Sequence, residues 1–105
     1  MSKVVMETKK QLREIILNAL GSAVAEEKLA GTPIPDFTIE VPADRTHGDY
    51  AANVAMVSAR AFRMSPRQIA QILHNRMVLD GTRFDRCEIA GPGFLNFFLT
   101  PAFYA

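Results

Sequence analysis

The residues best placed to do chemistry lie near the C-terminal end, in Glu88-Ile-Ala-Gly-Pro-Gly-Phe-Leu-Asn-Phe-Phe-Leu99. Two strand-like runs flank Gly91-Pro92-Gly93, where glycine permits positive φ and proline fixes its own φ without offering an N–H. Strand side chains alternate between faces, so Leu95, Phe97 and Leu99 point one way and Phe94, Asn96 and Phe98 the other. A three-residue loop would put Ala90 opposite Phe94, Ile89 opposite Leu95 and Cys87 opposite Phe97. The first set is then uniformly apolar and suits a core. The second gathers Phe94, Asn96 and Phe98 with Arg86, Glu88 and Ala90. Two exposed aromatics around an amide, with an arginine nearby, are not needed to fold a sheet. The chemistry on offer is stacking, amide hydrogen bonding and pairing with an anion.

Other chemistries find no support. Zinc needs clustered Cys and His, whereas this chain has one cysteine, Cys87, and two distant histidines, His47 and His74. An inward position on its strand makes Cys87 a core thiol, not a nucleophile. Gly91-Pro-Gly93 lacks the third glycine and following helix of a dinucleotide fingerprint, and no Gly-Lys-Ser/Thr loop occurs. Glu26 and Glu27 fall on a helix surface. In His47-Gly48-Asp49 the aspartate reads as a helix cap, so no catalytic or metal-binding residue is expected.

Several elements must position that face. Residues 4 to about 29 read as one amphipathic helix, with Leu12, Ile15, Ile16, Ala19, Leu20 and Ala23 on a buried stripe. Gly31-Thr-Pro33 ends it. Phe37-Thr-Ile-Glu-Val41 alternates as a half-buried strand with Phe37, Ile39 and Val41 inward, and the bracketing prolines Pro35 and Pro42 keep it short and near a sheet edge. After an irregular loop, Ala43 to Gly48, Asp49 stands as N-cap to a helix from Tyr50 to Phe62. Met64-Ser-Pro-Arg-Gln-Ile69 is the clearest local signal. Ser65 caps, Pro66 takes the first helical position, Gln68 closes a capping box and Met64 can staple onto Ile69. That helix should run through Met77 and stop near Asp80-Gly81. Residues 84–89 and 94–99 make the hairpin. Thr100-Pro101 looks like the start of another helix, expected to continue in a longer chain.

The 105 residues amount to one domain, long enough to bury roughly two thirds of its unfolded surface. An apolar fraction of 49% with 22% charge is ordinary for a globular protein. One cysteine excludes an internal disulfide and fits a reducing compartment. No run approaches the ~20 apolar residues that span a membrane. Net charge is only +1, but residues 1–44 carry five Lys/Arg against seven Asp/Glu, while residues 45–105 carry seven arginines, no lysine and four acids. Arginine without lysine suits planar, bidentate contacts to phosphate.

Gly48-Asp-Tyr-Ala-Ala-Asn53, Pro66-Arg-Gln-Ile-Ala70 and Ile89-Ala-Gly-Pro-Gly-Phe-Leu-Asn-Phe97, in this order and separation, resemble the N-terminal additional domain of arginyl-tRNA synthetase. The resemblance covers essentially all 105 residues, as one tRNA-recognition domain of a longer synthetase chain. It implies an α+β fold, a two-layer sandwich running helix, two strands, helices, two strands, with helices on one face of a small, mainly antiparallel sheet. One of the first two strands is legible; residues 43–50 are the segment left for its partner. It implies a role in binding the D-loop at the outer corner of tRNA-Arg, notably its base at position twenty, through an aromatic-x-amide motif matched by Phe94 and Asn96. Arginylation would be done by a class I catalytic domain of the same polypeptide that uses ATP and magnesium. The signatures of that core are missing here, so this domain is expected to hold neither cofactor nor metal. A cytoplasmic location follows, with neither membrane nor DNA among the partners.

The residues support the same pair. Loop bases are recognised by stacking on aromatics and by hydrogen bonds along their edges, which Phe94 and Asn96 supply. Gly91, Pro92 and Gly93 would let a nucleic-acid backbone approach, and Arg86 would reach a phosphate. The alternative is a protein–protein or interdomain docking module with no RNA role, whose partner covers the aromatic face, Phe98 above all.

Overall fold

The computed structural model describes residues 2–103. These form three α-helices, α1 (Lys3–Ala25), α2 (Val54–Phe62) and α3 (Pro66–His74), and four strands, β1 (Ile39–Glu40), β2 (Tyr50–Ala52), β3 (Phe84–Ala90) and β4 (Phe94–Leu99). The strands make one antiparallel sheet in the order β1-β2-β4-β3, with the helices packed on one face. The expected α+β two-layer architecture is the one observed. Among the described residues, no helix is long and apolar enough to cross a membrane.

The helical face of the sheet is apolar because alternation puts Tyr50, Ala52, Leu95 and Phe97 there. On it lies the α1 stripe of Leu12, Ile15, Ile16, Ala19, Leu20 and Ala23, with Ile69, Ala70 and Leu73 of α3. The strand register slips between Phe84 and Arg86, leaving Asp85 and Arg86 both exposed. This irregularity turns Phe84 inward, where it meets Tyr50 and Phe97 edge-on, each at 5.9 Å between ring centroids.

Ser65 accepts a hydrogen bond from the Gln68 N–H, and the Gln68 side chain accepts from the Ser65 N–H, with Pro66 at the first position. The capping box is therefore as expected, although α3 stops at His74 instead of reaching Met77. The first helix likewise ends at Ala25, short of residue 29.

The second strand is the main departure. Tyr50–Ala52 is β2, and the helix begins four residues later than expected, at Val54. Asp49 caps no helix: its N–H donates to the Phe97 carbonyl (2.9 Å), and its carboxylate accepts from the Leu99 N–H (2.9 Å) and Arg45 (2.6 Å). These bonds fasten β2 to β4. Val41 is half-exposed, not inward, because β1 ends at Glu40. Thr100-Pro101 opens a single 3₁₀ turn, Pro101–Phe103.

Candidate functional site

The hairpin register is the one expected from a three-residue loop: Ala90 faces Phe94, Ile89 faces Leu95, and Cys87 faces Phe97. The Gly93 N–H donates to the Ala90 carbonyl (3.2 Å), and Gly91 supports the turn with a φ of 55°. Phe94, Asn96 and Phe98 consequently share the face away from the helices, but they differ in their surroundings.

Phe94 is 39% exposed. Asn96 is only 5% exposed, although it lies on the outer face. It sits on the central strand between Ala51 of β2 and Glu88 of β3, at the floor of a cavity of about 400 Å³ that Phe94, Glu40 and His47 help to wall. Its carboxamide makes no hydrogen bond with any described residue. The amide opens onto the cavity, so its donor and acceptor are available to water or a ligand.

Phe98, expected to be exposed, is buried by its own chain. The Arg86 guanidinium lies 3.7 Å from its ring centroid, and Arg86 Nε donates to Glu88 (2.8 Å). Arg86 is thus laid along the sheet and does not wall the cavity. Gly91 and Pro92 do wall it. Gly93 faces elsewhere: it is buried against Pro66, so its space is filled by α3 and not open to a ligand's backbone.

Sequence reasoning missed three residues. Arg67, exposed on the first turn of α3, donates to the Gly91 carbonyl (2.5 Å) and stands at the turn. Glu40 and His47 reach the cavity from β1 and from a 3₁₀ turn, Arg45–His47. That turn is capped by Asp44, whose carboxyl is held below its usual range mainly by the Thr46 hydroxyl and then by the Thr46 N–H. The motif order of the sequence carries no sign of these approaches, because tertiary pairing alone brings residues 40 and 47 beside residue 96.

A second cavity, of about 450 Å³, lies between the start of α1 and the end of β4. Its charged groups are already paired: Asp49 with Arg45, and Arg83 with Thr8 and Glu7. The Phe94 cavity is the one with an unpaired amide. Cys87 is buried, and burial pushes its thiol pKa up to about 12, so it is no nucleophile at neutral pH. Among the described residues, no three His, Cys, Asp or Glu side chains come together as metal ligands. What the cavity presents is an aromatic face, from Phe94, and the amide of Asn96.

The family model "Arginyl tRNA synthetase N terminal domain" matches residues 10–99. The arginine–tRNA ligase of Acetivibrio thermocellus is 43% identical over 102 residues, which is 97% of this chain and 18% of that protein. That of Listeria monocytogenes is 41% identical over 100 residues, 95% of this chain and 17% of the relative. Among solved structures, Thermus thermophilus arginyl-tRNA synthetase matches with a TM-score of 0.64 at 26% identity, over 87% of this chain and 14% of that one. The Plasmodium falciparum synthetase matches in fold with a TM-score of 0.68 at 15% identity, over 90% of this chain and 16% of that one. The chain thus spans under a fifth of the length of the curated relatives it matches. With the family match running almost end to end, the chain belongs to the arginyl-tRNA synthetase N-terminal domain family.

Proposed function

We infer that the cavity face binds the D-loop at the outer corner of tRNA-Arg, supporting ATP-dependent arginylation by a catalytic domain of the same polypeptide. The observation that carries this is the pairing of a half-exposed Phe94 ring with the Asn96 amide, recessed at the cavity floor, open to it and without a partner among the described residues. A loop base stacks on Phe94 and offers its edge to Asn96, which supplies a donor and an acceptor. Arg67, at the mouth of the turn, is better placed than Arg86 to meet a phosphate, since Arg86 is committed to Phe98 and Glu88.

The domain contributes affinity and tRNA selection and holds no cofactor. ATP and magnesium belong to the catalytic domain, and the reaction to the cytoplasm. The test is a titration of the full-length protein with tRNA-Arg and a non-cognate tRNA at several salt concentrations. Phe94→Ala should weaken tRNA-Arg binding by about 1–3 kcal/mol, the worth of one stacked base. Arg67→Ala should flatten the salt dependence. Binding indifferent to both substitutions would leave the face without an RNA role and favour a docking surface for a protein domain.

A further inference from the structure

We propose that Glu40 is a specificity-determining residue of this face, selecting a loop base that carries an exocyclic amino group over uracil. This rests on the reading of Phe94 and Asn96 as the base site. In the sheet, Glu40 pairs with Ala51, Ala51 with Asn96, and Asn96 with Glu88. These four form one row across the outer face, with Glu40 and Asn96 two strand spacings apart, about 10 Å. Ala51 between them raises only a methyl group, so the gap is open, and both Glu40 and Asn96 line the cavity beside Phe94.

The carboxylate of Glu40 has no hydrogen-bond or ion-pair partner among the described residues. It is exposed on a two-residue edge strand, so nothing in the fold requires its charge. A base stacked against Phe94 above Ala51 therefore meets an amide on one side and a carboxylate on the other. The two groups impose different demands. An amide adapts to either polarity by turning over, whereas an ionised carboxylate only accepts. Adenine, cytosine and guanine each present an amino group on an edge; uracil has none, and its two carbonyl oxygens flank a single N–H. Glu40 thus rewards the amino-bearing base and repels the carbonyls of uracil. It also repels phosphate, so its presence trades affinity for discrimination.

The experiment uses the full-length protein and tRNA-Arg transcripts with each of the four bases at the D-loop position contacted, measuring Kd and arginylation kcat/KM. Wild type should favour the best amino-bearing base over uracil by roughly tenfold or more. In Glu40→Gln the uracil transcript should bind more tightly than to wild type, and the preference should shrink to within about twofold. Glu40→Ala, which removes the acceptor altogether, should act in the same direction, with circular dichroism reporting the fold. The proposal is overturned if wild type shows no preference against uracil, or if both Glu40 variants keep it. Phe94→Ala separates the two readings. If it weakens every transcript while the Glu40 variants change nothing, the base site stands and Glu40 has no part in it; if it too changes nothing, the base site falls and Glu40 with it.

Discussion

Gly93 lies so close to Pro66 that a β-carbon on the glycine would stand 2.8 Å from the proline Cβ and 3.0 Å from its carbonyl carbon. The hairpin turn is therefore seated directly on the start of α3, the helix that also supplies Arg67 to the Gly91 carbonyl. At a φ of 143°, Gly93→Ala adds backbone strain to that collision and should cost about 1–3 kcal/mol or more. Gly91→Ala, with a φ of 55° and only the Phe94 ring edge at 3.9 Å, should cost about 1–2 kcal/mol. Urea midpoints of the two variants check the order. If Gly91→Ala proves the more damaging, the turn does not rest on α3 as described.

Asn96 separates function from stability. Its amide opens onto the cavity and has no partner among the described residues, so Asn96→Leu breaks no hydrogen bond of the fold. The variant should stay within about 1 kcal/mol of wild type in stability, while tRNA binding weakens. Thermal melts and tRNA titrations on the same samples decide it. A variant that loses stability without losing tRNA affinity would make Asn96 a structural residue.

Asp49 holds β2 to β4 through the Leu99 N–H, and its partner Arg45 is mostly exposed. Asp49→Ala should therefore cost about 1–3 kcal/mol, because it strands a backbone donor. Arg45→Ala should cost less than about 1 kcal/mol, since it removes only one end of a solvent-screened pair. Equal losses in denaturant titrations would show that the ion pair, not the backbone bond, carries the clamp.

Cys87 sets a pH dependence whose sign follows from its raised pKa. Unfolded, the thiol ionises near its ordinary value of 9.0; folded, it holds its proton to about 12. Its contribution is fully present below pH 9 and is lost as pH rises above it, by up to about 1.4 kcal/mol per pH unit. Comparing the alkaline slope of stability in wild type and Cys87→Ala isolates this effect, and the variant should be flatter. Native Cys87 should also resist thiol reagents at pH 8 until the chain is unfolded.

The hairpin was legible in the sequence because a period of two, a dense turn and a three-residue loop together leave one register. The capping box of α3 was legible because Ser65, Pro66 and Gln68 act locally. β2 was not: Tyr50-Ala-Ala is short and helix-compatible, and Asp49 before it looks like an N-cap until β4 is there to bind it. Phe94 and Asn96 were correctly placed on one face, but the depth of Asn96 was hidden. The cavity walls, Glu40 and His47, come from elsewhere in the chain. The covering of Phe98 by Arg86 is a contact between strands, visible once Arg86 and Phe98 pair across the sheet.

The most direct test is the kcat/KM for arginylation of tRNA-Arg by the full-length protein carrying Phe94→Ala together with Asn96→Ala. Base reading by this face requires a fall of about tenfold or more, carried mainly by KM, with the fold intact. An unchanged kcat/KM would contradict it.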